Sequence, residues 1–194
     1  MKVGVLALQG AYASHLQTFA SIGVEVLEVR TPEDLETIDR LVIPGGESTT
    51  ISMLLDSNGM RVPIQESISE GMPVFGTCAG MIVLAREVLD GRDDQKPLGA
   101  IDITVRRNAF GRQVDSFESE IEVSGLDEPF PSVFIRAPIV ESIGEGVEVF
   151  SRVDEKIVLC GTDSILVASF HPELSNDGRI HEMFLSLEPS GSQR

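Results

Sequence analysis

The sequence predicts an α/β fold, with a mostly parallel central sheet flanked by helices and a smaller antiparallel portion in its second half. In the first half, short apolar segments alternate with amphipathic segments, which is the pattern of βαβ units. In the second half, apolar segments follow one another through shorter connections, which favours antiparallel pairing. With 194 residues, of which 42% are hydrophobic, the chain is long enough for one well-packed core and somewhat short for two.

The elements of the first half are predicted from hydrophobic periodicity. Each strand is a short apolar run, and each helix has apolar residues at helical spacing. Pro44 and the two glycines after it end the third strand, because proline and glycine interrupt regular structure. The predicted strands span residues 3–8, 24–29, 40–43 and 73–76, and the predicted helices span residues 12–22, 50–56 and 62–70, with a further helix opening at 81–84.

The second half begins after the polar segment 91–94. Its predicted strands span residues 101–105, 115–123, 133–135, 147–153, 157–159 and 165–170, and a last helix spans roughly residues 179–187. We therefore expect a single domain over residues 1–188, followed by a frayed polar tail at 189–194.

The charge balance excludes several kinds of partner. There are 31 acidic and 15 basic residues, for a net charge of −16, so the surface should repel nucleic acid and anionic membranes. A neutral or zwitterionic substrate fits better. We find neither a cleavable leader nor an apolar stretch approaching a membrane span, and we expect a cytoplasmic protein. The three histidines and two cysteines form no cluster of the zinc type, so we expect no metal.

Cys78 is the candidate nucleophile. It lies in the segment GTCAG at 76–80, directly after a strand-like run and directly before a helix-like one. Glycines on both sides of a nucleophile permit the sharp turn between strand and helix, because they remove Cβ clashes. At the start of a helix, the aligned peptide dipoles favour the thiolate form. A lone buried cysteine is more often a small apolar residue, as we expect for Cys160 in its strand-like segment.

His171 and Glu173 are the candidate partners of Cys78. In an extended segment, residues two apart project to the same side, so both side chains can lie together, and Pro172 restricts the backbone between them. A carboxylate there would hold the imidazole in the useful tautomer and stabilise its charged form. A lone histidine is usually structural, but the Cys and His segments together predict a cysteine hydrolase with a triad in the chain order Cys, His, Glu.

Acyl transfer also needs donors aimed at the developing oxyanion. One candidate is the backbone N–H of Ala79, and another is the glycine turn PGGESTT at 44–50, where unhindered backbone can approach a ligand. The alternative for this turn is a helix entry with Ser48 or Thr49 as the N-cap, and the two roles are compatible. The turn lacks the lysine of a phosphate-binding loop, so we do not predict a nucleotide site.

Cations at strand ends have two interpretations. Arg106, Arg107 and Arg136 could grip the carboxylate of an amino-acid substrate, because a guanidinium binds carboxylates bidentately. The alternative is surface ion pairing with the many acidic residues, and the residues alone favour it. His15 and His181 fall within helical patterns, and we expect them to be solvated or structural rather than catalytic.

Taken together, these segments resemble the glutaminase subunits of pyridoxal 5′-phosphate synthase, which are class I glutamine amidotransferases of the triad type. The likeness covers nearly the whole chain. Two segments mark the wider amidotransferase class: GTCAG at 76–80, the elbow between strand and helix that carries Cys78, and His-Pro-Glu at 171–173. The arginine-rich segment at 107–117 and FIRAP at 134–138 point to the narrower group of these glutaminase subunits. The matching segments are GVLALQG (4–10), PGGEST (44–49), GTCAG (76–80), RNAFGRQVDSF (107–117), FIRAP (134–138) and SFHPEL (169–174).

The resemblance implies the three-layer class I glutamine amidotransferase fold and a reaction. Cys78 would attack the side-chain amide of L-glutamine, His171 would pass protons, and ammonia would leave. Water would then hydrolyse the γ-glutamyl thioester to glutamate, and Glu173 would orient His171. Gly46 and Ala79 would supply the oxyanion-hole amides.

The resemblance further implies a substrate site and a partner. The glutamine site would be formed by Gly46, Glu47, Ser48, Arg107, Ile135 and Arg136. The ammonia would pass to a separate synthase subunit, which is a (β/α)₈ barrel, in a hetero-oligomer that needs no cofactor on this chain. Members of this family tend to be nearly idle until they dock, and docking reorganises the backbone near Gly46. Gln9, Gly10 and the helix after them would lie near that contact.

Two rival interpretations are open. The first is a glutaminase subunit of another synthase, such as that of histidine biosynthesis, and the arginine-rich segment argues against it. The second is a stress or redox protein of the same architecture with a reactive elbow cysteine, because fold alone does not determine function. The His-Pro-Glu segment argues against the second rival, since a sensor needs a reactive thiolate but no oriented general base.

Overall fold

The computed structural model describes residues 1–92, 94–107 and 116–190. The strands of this part of the chain are β1 (Lys2–Leu6), β2 (Glu25–Val29), β3 (Arg40–Ile43), β4 (Val74–Thr77), β5 (Ala85–Val88), β6 (Ile101–Arg106), β7 (Ser116–Ile121), β8 (Phe130–Ile135), β9 (Ile139–Ile143), β10 (Glu148–Val153), β11 (Lys156–Gly161) and β12 (Ile165–Ala168). The helices are α1 (Tyr12–Ser21), α2 (Pro32–Leu35), α3 (Ser48–Ser57), α4 (Arg61–Ser69), α5 (Ala79–Leu84) and α6 (Arg179–Leu185), and a 3₁₀ turn covers Pro172–Leu174.

Half of the central sheet is parallel, as the alternating pattern predicts. Strands β2, β1, β3, β4 and β12 are neighbours in that order, and every pairing among them is parallel. At the carboxyl edge, Ile43 of β3 lies opposite Gly76 of β4, and Thr77 lies opposite Ala168 of β12. The segments that follow these three strands are the glycine turn, Cys78 and the segment that contains His171. The sheet therefore brings the candidate site residues to one edge.

The other half of the sheet is mainly antiparallel, which confirms the predicted change in the second half. Strands β12, β11, β9 and β6 continue the sheet through antiparallel pairs, β10 pairs with β11, and β5 runs parallel to β6 at the far edge. Among the described residues, β7 and β8 form a separate antiparallel sheet of two strands. The predicted strand at 115–123 begins at residue 115, which lies outside the described residues.

Three elements were not predicted. Strand β5 follows α5 without a glycine or proline, and the change of conformation occurs at Ala85, whose ψ is 157°. Strand β9 is short and follows a proline, and α2 is a single turn closed by a capping box between Thr31 and Asp34. In each case the local pattern is too short for periodicity to indicate the element.

Side chains of the central strands alternate between two cores, one on each face of the sheet. Val42 packs in one core with Phe19 of α1 and Phe184 of α6. Its chain neighbours Leu41 and Ile43 pack in the other core, together with side chains of α3, α4 and α5. This is the two-residue period of a strand buried on both faces. The fold is therefore the predicted three-layer arrangement, with helices on both sides of the sheet.

The described start of the C-terminal tail is attached to the domain. The backbone N–H of Ser190 donates to the carbonyl of Gly71 at 3.1 Å, and the Ser190 hydroxyl lies 2.6 Å from that of Ser164. The division into a domain at 1–188 and a tail at 189–194 stays a prediction, and residues 191–194 lie outside the described residues. In the part of the chain that the structure describes, no helix is long and apolar enough to cross a membrane.

We expect the replacement Phe184→Ala to lower the free energy of unfolding by about 3–5 kcal/mol, because it deletes a fully buried ring from the core beneath α6. The ring centroid of Phe184 lies 5.5 Å from that of Phe75, so the cavity would open beside β4. The measurement is urea unfolding. The control is Val62→Ala on the exposed side of α4, which should change stability by no more than about 0.5 kcal/mol. Equal losses in the two variants would contradict this assignment of the core.

Candidate active site

Cys78 occupies a sharp turn between β4 and α5. Its backbone has φ 49° and ψ −102°, a left-handed conformation that is strained for any residue with a Cβ. A hydrogen bond to β12 stabilises the turn: the Cys78 N–H donates to the carbonyl of Ala168 at 2.8 Å. A Cβ on Gly80 would lie 2.0 Å from the carbonyl oxygen of Ile43, and one on Gly76 would lie 2.8 Å from that of Gly80. The two glycines therefore let the helix start against the sheet edge, as the sequence predicts.

His171 and Glu173 are in contact, although the segment between them is not extended as predicted. Nδ1 of His171 lies 2.8 Å from Oε1 of Glu173. Residues Pro172–Leu174 form a 3₁₀ turn, so the prediction of an extended segment is wrong. Proline is accepted at the first position of such a turn because its missing N–H is not needed there. The turn folds the carboxylate back to the ring of His171.

The charge states of His171 and Glu173 depend on each other. Burial disfavours the charged form of His171, but its contacts with Cys78 and Glu173 outweigh burial and raise its pKa to about 10. Burial likewise opposes ionisation of Glu173, but the neighbouring His15 and His171 lower the pKa of its carboxyl group. Since Nδ1 of His171 faces Glu173, Nε2 is the ring nitrogen left for Cys78. The arrangement favours an imidazolium between a carboxylate and a sulfur.

A pair of histidines, His15 and His181, lies behind Glu173, and no pattern in the sequence predicted it. His15 Nε2 is 3.4 Å from Oε2 of Glu173 and 3.1 Å from Oγ1 of Thr77, and His15 Nδ1 is 3.0 Å from Nε2 of His181. Both histidines have no exposed surface, so the expectation that they are solvated is wrong, whereas a structural role fits. One signal was available: His15 lies four residues before Phe19, on the face of α1 that enters the core.

A cavity of about 670 Å³ opens at the carboxyl edge of the sheet, and Cys78 and His171 lie in its wall. Every residue that the resemblance implies for the oxyanion hole, the substrate site and the partner contact also lines it, whereas Arg106 does not. Glu173 does not line it, because it lies behind His171. The lining residues are Gln9, Gly10, Ala11, Gly45, Gly46, Glu47, Ser48, Cys78, Ala79, Ile82, Arg107, Ser116, Ile135, Arg136 and His171.

The glycine turn leads into α3 through Glu47 rather than through Ser48 or Thr49. The Glu47 carboxylate accepts hydrogen bonds from the N–H groups of Thr49 at 3.2 Å and Thr50 at 2.7 Å, so it is the N-cap, and the predicted cap is wrong. The side chain of glutamate is long enough to fold back over the first turn and satisfy donors that lack helical partners. Ser48 Oγ is buried, and no described residue forms a hydrogen bond with it. Its hydroxyl is therefore available to a ligand.

The loop after β1 braces this turn. The Gln9 side-chain oxygen accepts a hydrogen bond from the Glu47 N–H at 2.9 Å, and the Ala11 N–H donates to the carbonyl of Gly45 at 2.9 Å. Gly10 has φ +103°, and a Cβ at this position would lie 2.0 Å from the same carbonyl oxygen. A displacement of this loop would therefore be transmitted to the backbone of Gly45 and Gly46.

The arginines fall into different groups. Arg106 is ion-paired with Glu141, as the surface interpretation has it. Arg107 lines the cavity instead, with Nη2 3.5 Å from Oε1 of Glu47. Arg136 also lines the cavity, and its backbone has φ 45°. Residues 108–115 of the arginine-rich segment lie outside the described residues.

Cys160 differs from Cys78 in its surroundings. It lies in β11 with no exposed surface, and burial raises the pKa of its thiol to about 12, so it stays an uncharged core residue at neutral pH. Cys78 instead has its sulfur 3.8 Å from the carbonyl of Ile135, at the wall of the cavity. Within residues 1–92, 94–107 and 116–190, no group of three or more His, Cys, Asp or Glu side chains could hold a metal ion.

Known proteins resemble this chain over almost its full length. A protein of Dehalococcoides mccartyi named pyridoxal 5′-phosphate synthase subunit PdxT is 55% identical over 189 residues, which cover 96% of this chain and 97% of the relative. A protein of the same name from Herpetosiphon aurantiacus is 53% identical and covers 96% of this chain and 100% of the relative.

Solved structures have the same architecture. A crystal structure described as glutamine amidotransferase superposes with a TM-score of 0.91 at 48% identity, covering 95% of this chain and 97% of the other. A Thermoplasma acidophilum protein described as part of a putative GMP synthase has a TM-score of 0.66 at 15% identity over 96% of this chain and 92% of the other, which shows the shared fold alone. Residues 5–188 match the SNO glutamine amidotransferase family. This chain therefore belongs to the SNO glutamine amidotransferase family.

Proposed function

We propose that this chain is the glutaminase subunit of a pyridoxal 5′-phosphate synthase, and that it hydrolyses L-glutamine to L-glutamate and ammonia. One observation carries the proposal: Cys78 and His171 lie in the wall of one cavity, with the Glu173 carboxylate 2.8 Å behind the imidazole. This is the arrangement of nucleophile, base and orienting carboxylate that acyl transfer needs. The family and the names of relatives at 52–55% identity support glutamine as the substrate.

The reaction follows from the proposed roles. The Cys78 thiolate attacks the side-chain carbonyl carbon of glutamine, and the imidazolium of His171 gives its proton to the departing nitrogen, so ammonia leaves and a γ-glutamyl thioester remains. His171, now neutral, takes a proton from water, which attacks the thioester and releases glutamate. The C–S bond breaks as glutamate is released, so Cys78 leaves as the thiolate and His171 keeps the proton taken from water. The new carboxyl group loses its own proton to solvent, and the thiolate and imidazolium are restored. The raised pKa of His171 suits the first step, since the imidazolium is present at neutral pH.

The oxyanion of the tetrahedral intermediate needs two donors near the sulfur. Ala79 is the first residue of α5, so its N–H has no partner within the helix. Gly46, in the glycine turn, lines the same cavity. We assign the backbone amides of these two residues to the oxyanion hole. Donors of this kind are worth about 2.7–4 kcal/mol each in the transition state.

The remaining lining residues fit a zwitterionic amino acid. Arg107 supplies a positive charge for the α-carboxylate, and Glu47 supplies a negative charge for the α-ammonium. The hydroxyl of Ser48, which forms no hydrogen bond with any described residue, and the backbone of Ile135 and Arg136 complete the proposed glutamine site. These assignments agree with the residues that the sequence resemblance implies.

The relatives are named as subunits of a synthase, so we propose that this chain works within a hetero-oligomer. The partner would be a (β/α)₈-barrel subunit that receives the ammonia. Gln9 and Gly10 are proposed to lie at that contact. The hydrogen bonds from the Glu47 N–H to Gln9 and from the Ala11 N–H to the Gly45 carbonyl would link docking to the oxyanion hole. A cytoplasmic location also stays a prediction.

The rival interpretations are not favoured. A glutaminase of another synthase, such as that of histidine biosynthesis, would share the chemistry, but relatives that cover almost the whole chain are named for pyridoxal 5′-phosphate synthase. A stress or redox protein would not need the buried His171–Glu173 contact, because a sensor requires no oriented general base.

We expect Cys78→Ala to lower glutamate release, assayed with a pyridoxal synthase subunit, by at least about a thousandfold, because the nucleophile is lost. His171→Asn should be similarly severe. Cys160→Ala is the matched control: it removes the other thiol, which lies outside the cavity, and should leave the rate within about threefold of the unchanged chain. Hydrolysis by Cys78→Ala at the normal rate would contradict the mechanism.

We expect Arg107→Ala to raise the KM for glutamine by about tenfold or more, because hydrogen bonds to charged groups are worth about 1.5–3 kcal/mol. Arg106→Ala is the neighbouring control, since this side chain is paired with Glu141 and does not line the cavity. Steady-state kinetics at varied glutamine concentration measure both variants. If Arg106→Ala raised the KM as much as Arg107→Ala, the effect would be one of overall charge, and the carboxylate assignment would be wrong.

We expect Gly10→Ala to reduce the glutaminase rate in the presence of the synthase subunit by about tenfold or more, because removing one oxyanion donor costs this much or more. The added Cβ would push on the Gly45 carbonyl and shift the turn that carries Gly46. Gly23→Ala imposes a similar backbone strain at φ +78°, but its Cβ would have no neighbour within 4 Å among the described residues. Equal losses of activity in the two variants would show that general strain is responsible.

A further inference from the structure

Glu173 has one oxygen that the proposed triad does not use. Its Oε1 faces His171, but its Oε2 is buried and has no hydrogen-bond partner among the described residues. The nearest charged or ionisable group on that side is His15, with Nε2 at 3.4 Å, and both side chains are fully buried. A buried carboxylate is costly unless a donor compensates for the water it has lost. The position of His15 therefore bears on the charge of Glu173.

The surroundings of His15 determine which of its nitrogens carries the proton. If Nε2 were unprotonated, its lone pair would face the lone pairs of Glu173 Oε2, which is repulsive. If Nε2 carries the proton, the N–H can donate to Thr77 Oγ1 at 3.1 Å, and it brings its partial positive charge to 3.4 Å from Glu173 Oε2. Nδ1 of His15 is then an acceptor, and Nε2 of His181, 3.0 Å away, must be the donor to it. One proton arrangement thus satisfies the chain from His181 through His15 to Glu173.

The two histidines in this series of contacts, His15 and His181, are held neutral. Burial lowers the pKa of His15, although Glu173 opposes the shift, and burial together with His15 lowers the pKa of His181 to about 3. A neutral His15 can donate to Glu173 without adding a positive charge that competes with His171. Among the described residues, the titratable groups near Glu173 are His171 on its cavity side, with Cys78 beyond it, and His15 on its core side, with His181 beyond it.

The same series of side-chain contacts includes the end of β4, the strand that leads to the nucleophile. Thr77 is the last residue of β4 and directly precedes Cys78, and its hydroxyl lies 3.1 Å from His15 Nε2. His15 therefore lies between the strand that ends at the nucleophile and the carboxylate that orients the base. A purely structural buried histidine would need hydrogen bonds, but it would not need to place Nε2 3.4 Å from the free oxygen of Glu173.

We propose that His15 is a positioning residue: its Nε2–H keeps Glu173 ionised and turned toward His171, and His181 fixes the tautomer of His15 that makes this possible. The inference rests on the proposed glutaminase function, which it deepens. His15 touches neither substrate nor the reacting sulfur, and it acts only through Glu173.

Two replacements at one position test this. The amide of His15→Asn occupies the Nδ1 side of the ring and can keep the contact with His181, but it cannot reach Glu173. The amide nitrogen of His15→Gln extends to the place of Nε2 and can still donate to Glu173. Phe19→Leu, one turn along α1 and in contact with His181, is the control for loss of packing without loss of a hydrogen bond.

Each variant is assayed for glutaminase activity across pH with the same synthase subunit, and the pH dependence of Cys78 alkylation by iodoacetamide is measured on the chain alone. We expect His15→Asn to lower kcat about tenfold or more with the KM changed less than about threefold. Without the donor, Glu173 binds a proton more readily, so the acid limb of both profiles moves up by about half a pH unit or more. His171 loses stabilisation as an imidazolium, so the alkaline limb of the activity profile moves down. His15→Gln should recover most of kcat, and Phe19→Leu should lower Tm without moving either limb.

Profiles of His15→Asn that match those of Phe19→Leu would overturn the inference. If the unchanged chain hydrolysed no glutamine with the synthase subunit, the proposed function would fail, and the alkylation profiles would still decide the role of His15. If His15→Asn did not fold, ¹⁵N NMR of the histidine rings in the unchanged chain would decide instead. A neutral His15 protonated at Nε2 supports the inference, and one protonated at Nδ1 overturns it.

Discussion

The parallel pairing of β3, β4 and β12 is the constraint on which the site depends. Because these strands run in one direction and in register, their carboxyl ends meet at one edge of the sheet, where Ile43 lies opposite Gly76 and Thr77 lies opposite Ala168. Residues far apart in the sequence then follow the strands into one cavity. The glycines of the elbow allow the close approach of α5, and the strained backbone of Cys78 is tolerated because buried packing and the hydrogen bond to Ala168 hold it.

A buried charge is the second organising feature. Glu173 is removed from solvent, and its ionised form depends on the neighbours that face it, with His171 on one side and His15 on the other. The low polarity of the surroundings makes each of these contacts stronger than it would be in water, and makes the loss of either one more costly. The reactive part of the proposed triad is exposed to the cavity, whereas the part that sets its charge state lies in the core.

Much of this was predictable from local sequence. The runs before Cys78 and His171 indicate buried strands, the flanking glycines indicate the elbow, and the acidic balance argues against nucleic acid. Features that depend on packing between distant segments were not predictable. His15 and His181 are 166 residues apart in the chain, and neither has a local motif that marks the contact. The capping role of Glu47 and the 3₁₀ turn at Glu173 likewise reflect how a side chain or a short segment folds back, which periodicity does not encode.

The most direct test of the account is to look for the covalent intermediate. The chain would be mixed with glutamine and the synthase subunit, quenched in acid during turnover, digested and examined by mass spectrometry. The account predicts a γ-glutamyl group on the peptide that contains Cys78 and on no other peptide, disappearing when glutamine is exhausted. Sustained release of glutamate with Cys78 unmodified at every time point, under conditions where an added thioester standard survives the quench, would contradict the central claim.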